Sequence, residues 1–143
     1  MMKIITYGSL MNQASLEVTL GRPAMLTKIV IQGYRRVFNA PFDGYAFLNL
    51  ASDLSAFLEA AWFEIEEAEL SKFAVREAGS QLVKVRPGFM AFIWPQSATQ
   101  NLPVLQSYIN FCEQGAQALD IDMKRGLIKP RRIRNDTAQP LYP

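Results

Sequence analysis

Histidine is absent from this 143-residue chain, and cysteine occurs once, as Cys112. The first absence excludes Ser-His-Asp and Cys-His catalytic arrangements, zinc helices of the His-Glu-x-x-His type and nearly every histidine-bearing metal site. The second excludes an internal disulfide framework and a Cys-x-x-Cys zinc site. Proton chemistry near neutral pH must then come from a carboxylate, a lysine or a tyrosine whose pKa has moved. A carboxylate in apolar surroundings is the commonest route to a base of that strength. Long apolar runs are missing too, since none approaches the ~20 residues that a membrane span needs. The opening "MMKIITYGSL" lacks the apolar stretch and small-residue cleavage site of a signal peptide. A cytoplasmic location, no membrane partner and no metal are the resulting expectations.

Half of the residues are hydrophobic. A chain of this length buries roughly 68–70% of its unfolded surface, enough for a substantial core. One domain over residues 1–143 is expected, with no repeat, low-complexity tract or internal linker. Charge is nearly balanced at +2 overall but unevenly placed. Residues 120–143 form a basic C-terminal segment with six basic and three acidic side chains, mostly in "KRGLIKPRRIR". Such a segment raises nucleic acid as a partner. No aromatic residue interleaves with its arginines to stack bases, which favours a solvated end packed on the domain.

The first half reads as strands. "KIITY" opens it, and Gly21-Arg22-Pro23 marks a loop before "AMLTKIVIQGYRRVFNA", which Gly33 is expected to bend. Pro41 to Gly44 reads as a turn, followed by "YAFLNL" and "AFLEAAWFEI" as further strands. Residues 66–78, "EEAELSKFAVREA", change period from two to 3.6 and predict a helix, with an acidic start and Gly79 as its stop. "LVKV", Pro87-Gly88 and "FMAFIW" predict a strand, a turn and a strand. Asn101 and Pro103 signal a second helix, whose apolar stripe is Leu105, Tyr108, Cys112, Gly115, Ala116 and Leu119. Gly115-Ala116 would let a neighbour approach closely. The sum is an α+β domain.

One carboxylate stands out. Leu70, Phe73 and Ala74 define the core-facing stripe of the predicted middle helix, with Lys72 and Arg76 on the other side. Glu77 falls about 20° from Leu70, inside that stripe. It also lies in the last turn, where the helix dipole disfavours negative charge. Two readings stand at this point. Glu77 is either part-exposed at a frayed end or paired with Arg35, Arg36 or Lys84, or it is a buried base facing a cavity.

Two stretches, Tyr7-Gly8-Ser9-Leu10-Met11-Asn12 and "FEIEEAELSKFAVREAGSQLVKV" at 63–85, resemble the gamma-glutamylcyclotransferase-like superfamily. "GYRRVFNAP", "AFLNLASD", "SYINFCEQGAQALD" and the closing "QPLYP" resemble its bacterial members, in the right order along most of the chain. The resemblance implies a small, mixed, partly closed β-barrel with peripheral helices. It places the family's base on Glu77 and its substrate-holding turn on Tyr7, Gly8, Ser9 and Leu10. Backbone N–H groups of such a turn form an anion-binding concavity, and Gly8 leaves room for a ligand to come near the main chain.

The implied reaction needs no cofactor. The α-amine of a small-molecule γ-glutamyl substrate attacks its own γ-carbonyl, releasing 5-oxoproline and an amine or amino acid. The nucleophile belongs to the substrate, so Ser9 is not expected to act as one. The resemblance also sets Ser80 where the family often carries a tyrosine, shortening a pocket hydroxyl. Tyr142 is a candidate replacement, with tail packing as its other reading. Asn39 is a candidate pocket residue, with a strand-end turn hydrogen bond as the equal alternative. A non-catalytic small-molecule-binding or regulatory member of the same fold is the alternative function.

Overall fold

The computed structural model describes residues 1–95 and 101–136. Strand β1 (Met2–Thr6) leads through a 3₁₀ turn at Ser9–Met11 into helix α1 (Gln13–Leu20). Strands β2 (Thr27–Phe42) and β3 (Tyr45–Ile65) follow as one long hairpin. A 3₁₀ segment at Glu67–Phe73 comes before β4 (Gln81–Arg86) and β5 (Phe89–Ile93). The chain then runs through β6 (Val104–Leu105), α2 (Gln106–Ala118) and β7 (Ile133–Arg134). Five strands form one mixed, curled sheet in the order β2-β3-β1-β5-β4. The expected mixed, partly closed barrel with peripheral helices is the architecture found.

Strand β1 sits at the centre, antiparallel to β3 and parallel to β5. Ile4 and Ile5 point to opposite faces and both are buried, so each face of the sheet is covered. The hairpin tip at Asp43-Gly44 has positive φ at both residues (52° and 82°), the signature of a two-residue turn that matches strand twist. Gly33 bends β2 as expected. The ladder breaks between Gln32 and Tyr34, where β3 accommodates the extra residues Asp53 to Ala56. "YAFLNL" and "AFLEAAWFEI" are therefore two arms of one strand across a bulge.

The middle helix is the main correction. Residues 67–73 are 3₁₀, not α, and Ala74 is exposed where the periodicity placed it in the core. Tertiary anchors override local period here. Phe73 is wedged between Phe63 and Phe92, with ring centroids 5.8 and 5.6 Å away, and Lys72 Nζ donates to the Leu20 carbonyl. The 3₁₀ start is closed by a capping box, with the Glu66 and Glu69 side chains each accepting a backbone N–H.

Helix α2 buries Tyr108, Cys112, Gly115 and Ala116 of the expected stripe, while Leu105 lies in β6 before the helix begins and Leu119 is part-buried at its C-cap. A Cβ on Gly115 would lie 2.5 Å from the Asn12 nitrogen, so only glycine lets the helix lie on the backbone of the turn after β1. Residues 120–136 of the C-terminal segment fold back instead of extending as a free basic arm. Gly126 and Ile128 bond the Arg36 backbone, β7 pairs with β6, and Arg125 and Arg134 lie over the Phe57 and Tyr45 rings. No helix among the described residues is long and apolar enough to cross a membrane.

Candidate active site

A cavity of about 310 Å³ opens where β1 ends. That volume lies at the small end of the range for small-molecule sites. Its walls come from four places: the turn Tyr7–Leu10, the β2–β3 hairpin tip, residues 75–78, and the start of α2. One wall is polar, with Thr6, Tyr7, Ser9, Arg76 and Glu77. The facing wall is aromatic, with Phe47 edge-on to both Phe42 (6.3 Å) and Tyr108 (4.8 Å). Phe42 and Val75 line the cavity yet stay largely exposed, which places them at its mouth.

Glu77 is half-buried in this wall, and among the described residues its carboxyl makes no hydrogen bond or ion pair. Burial pushes its pKa up to about 7, against a smaller downward pull from Arg76. None of the candidate partners pairs with it. Arg35 bonds Asp53 at 3.3 Å, Arg36 lies behind the turn, and Lys84 is exposed on β4. Glu77 keeps the expected spacing from Phe73 without the expected helix. Its N–H donates to the Phe73 carbonyl at 2.8 Å, a single i to i+4 turn that keeps Glu77 on the side of the buried Phe73.

Trp94 holds that loop in place. Its indole N–H donates to the Ala78 carbonyl at 3.2 Å, and a Cβ on Gly79 would lie 3.3 Å from the indole nitrogen. Gly79 also has φ of +91°, which a larger residue would strain. Trp94 is itself clamped by Asn49, whose amide accepts its N–H and donates to its carbonyl, both at 3.0 Å.

The turn shares this wall. Tyr7 is buried, and its hydroxyl donates to the Phe92 carbonyl at 2.5 Å. Burial raises the phenol pKa well above its usual value, and the charge of Glu77 adds to the rise. Tyr7 is thus a proton-holding neighbour of Glu77. The N–H groups of Ser9 and Leu10 open the 3₁₀ turn, and no side chain caps them. Arg76 donates to Ser9 Oγ at 2.6 Å and to Thr19 Oγ1 at 3.1 Å, tying the turn to α1. It was expected on the far side of its helix, but the loop geometry turns it into the cavity.

The remaining candidates fall elsewhere. Asn39 is buried outside the cavity lining, and its Oδ1 accepts from Asn49 at 2.8 Å, so it supports the Trp94 clamp. Ser80 is not among the lining residues either. Its hydroxyl donates to the Glu77 carbonyl at 2.6 Å and fastens the loop instead of facing a ligand. Tyr142 lies outside the described residues. Sequence reasoning missed Tyr108 as a lining residue, because its place in the α2 stripe marked it only as core. It also gave Asp136 no role in the pocket. Asp136 lines the cavity and accepts the Ser107 N–H (2.9 Å) and hydroxyl (2.6 Å), capping the start of α2.

No family model matches the chain, and no curated protein matches its sequence. Solved structures do. One named gamma-glutamyl cyclotransferase superposes with a TM-score of 0.67, covering 83% of this chain and 80% of that one at 10% identity. The chain has the gamma-glutamylcyclotransferase-like fold. YkqA from Bacillus subtilis superposes with the same TM-score at 19% identity, covering 82% of this chain. The chain spans about half of YkqA, 48% of its length. An uncharacterised human protein superposes at 0.65, with 11% identity over 82% of this chain and 79% of that one. Within this gamma-glutamylcyclotransferase-like fold, the cavity lies beside the turn after β1, with an unpaired carboxylate on its wall. Among the described residues, no three His, Cys, Asp or Glu side chains converge to hold a metal.

Proposed function

We propose that the protein is a cofactor-free cyclotransferase acting on a γ-glutamyl compound. The observation that carries this reading is Glu77, an unpaired carboxyl in a cavity wall whose pKa is pushed up to about 7. A group with that pKa both accepts and returns a proton near neutrality. Glu77 takes the proton from the substrate's α-ammonium, the freed amine attacks the γ-carbonyl carbon, and the C–N bond to the leaving group breaks. That proton goes to the departing nitrogen, and the freed Glu77 carboxylate then passes on the second proton that the attacking nitrogen sheds as the ring closes. The products are 5-oxoproline and the leaving amine as its ammonium, so atoms and charge balance without a protein nucleophile. Holding amine and carbonyl in one cavity supplies part of the acceleration.

Charge on the γ-carbonyl oxygen is met by N–H groups of the turn Tyr7–Leu10. Arg76 adds a positive field for the substrate's α-carboxylate. The aromatic wall at the mouth, Phe42, Tyr45 and Phe47, receives the leaving group and favours an apolar one over a charged one. The residues act as a single domain in this reading, and the molecule's small-molecule partner is the γ-glutamyl compound itself.

The test is incubation of wild type and Glu77→Gln with γ-glutamyl amides of aliphatic, aromatic and charged amines, with 5-oxoproline read by mass spectrometry. Product from wild type and none from Glu77→Gln is the expected result. Equal product from both removes Glu77 from the reaction. Ligand-induced stabilisation with no product from either points instead to a binding member of the fold.

A further inference from the structure

Arg36 is the largest side chain buried without any exposure, and among the described residues it has no carboxylate partner. An unpaired buried charge is costly, so its surroundings must meet it by other means. Two carbonyl oxygens do so. Nε donates to the Tyr7 carbonyl at 2.8 Å, and Nη2 donates to the Glu59 carbonyl at 2.7 Å. Nη2 also lies 3.6 Å from the Met11 sulfur, while Nη1 is buried with no partner. Burial lowers the guanidinium pKa to about 10, which leaves it charged at neutral pH.

The Tyr7 carbonyl belongs to the same peptide unit as the Gly8 N–H. No peptide bond among the described residues is cis, and in a planar trans unit the C=O and N–H point in opposite directions. Drawing the carbonyl towards Arg36 therefore turns the N–H away from it. Gly8 lines the cavity, and its N–H has no acceptor among the described residues. The space a side chain would fill is taken, since a Cβ on Gly8 would lie 3.1 Å from Tyr108 Oη. A charged donor on the carbonyl also polarises the peptide and strengthens the N–H as a donor.

We infer that Arg36 is a positioning residue that aims the Gly8 N–H into the cavity as the principal oxyanion donor. The inference rests on the cyclotransferase reading for its chemistry, but the aimed donor is a property of the free protein. Arg36 touches no substrate, and it acts through the Tyr7–Gly8 peptide.

The experiment compares wild type, Arg36→Lys and Arg36→Gln by steady-state kinetics and by the ¹⁵N–¹H resonance of the Gly8 amide. An interaction made only in the transition state lowers kcat and leaves KM nearly unchanged. Arg36→Gln is expected to lose about 10- to 100-fold in kcat, somewhat less than deleting an oxyanion donor outright. Arg36→Lys keeps the charge and is expected to recover most of that loss. The Gly8 ¹⁵N shift should move in Arg36→Gln and return towards wild type in Arg36→Lys.

If kcat per folded molecule is unchanged in both variants, or the Gly8 resonance stays in place, the inference is overturned. If Arg36→Gln does not fold, Arg36→Lys carries the test: its single ammonium replaces the two-carbonyl fork only in part, so a small residual displacement of the Gly8 signal from wild type is expected, and none overturns the inference. If wild type turns over no γ-glutamyl compound, the cyclotransferase reading fails separately. The Gly8 resonance, followed with added γ-glutamyl ethylamide, then decides the role of Arg36 alone. The expected result is a downfield amide shift in wild type that Arg36→Gln lacks, and equal shifts in both would overturn it.

Discussion

Glu69 and Glu77 lie eight residues apart in one segment and titrate in opposite directions. Glu69 accepts from Arg22 Nε and Nη2 as a fork, at 2.7 and 2.8 Å, and from the Glu66 backbone N–H at 3.0 Å. The Arg22 hydrogen bonds come first among the causes that lower its pKa to about 2. Glu77 faces an apolar cavity without such partners, and burial raises its pKa to about 7. One carboxylate holds the chain together and stays charged down to about pH 2. The other is left able to exchange a proton at the pH of a cell. Environment, not residue type, divides structural from chemical work here.

Substitution should separate the two roles. Glu77→Gln is expected to lower γ-glutamyl turnover by at least about 100-fold, the usual contribution of a positioned acid–base group, read as 5-oxoproline formed per minute. The wild-type kcat/KM should rise with pH through about 7 and fall about tenfold per unit below it, because only ionised Glu77 accepts the proton. A flat profile from pH 5 to 8 would break the contrast.

Stability should show the same contrast with the signs reversed. The folded pKa of Glu77 is raised from 4.5 to about 7, so the native state resists ionisation that the unfolded chain accepts. The resulting penalty is absent below about pH 4.5 and complete above about pH 7. Glu77→Gln should therefore unfold at higher denaturant at pH 8, by about 3 kcal/mol, and match wild type near pH 4. Glu69 has a lowered pKa, so its contribution is present above about pH 4.5 and is lost as pH falls towards 2. Glu69→Gln should melt a few degrees below wild type at pH 7, with the gap closing in acid and turnover unchanged. This is the smallest effect, since Arg22 is a part-exposed partner screened by water.

Much of the fold was legible. Apolar β1 running into Gly8-Ser9, the bend at Gly33, the turn at Pro41–Gly44 and the α2 stripe are all local patterns, and local patterns survive in the structure. Helix α1 escaped notice because its buried positions, Ser15, Leu16 and Leu20, make no strong periodic stripe. The 3₁₀ segment was misread as α because its geometry answers to Phe63 and Phe92, which are distant in sequence. At the site, Glu77 could be found from spacing and the turn from resemblance. The buried fork of Arg36 could not, since an arginine in "GYRRVF" next to Arg35 gives no sign which of the two goes inside. Asn39 and Ser80 were judged by residue type, and their hydrogen bonds to Asn49 and to the Glu77 carbonyl depend on the assembled sheet.

Cys112 lies fully buried in α2, and burial pushes its thiol pKa up to about 12, against smaller downward pulls from Tyr108 and Arg36. The thiolate is the form that alkylating reagents attack, and at pH 8 it amounts to about one molecule in 10⁴ in the folded chain. Labelling by iodoacetamide therefore waits for α2 to lift from the turn, after which the sulfur reacts as in a free peptide. Because it is the sole cysteine, the rate of mass increase times that opening without any engineered probe. A bound ligand that bridges the turn and α2 would slow the clock, so affinity for the cavity can be measured before any substrate is known to turn over.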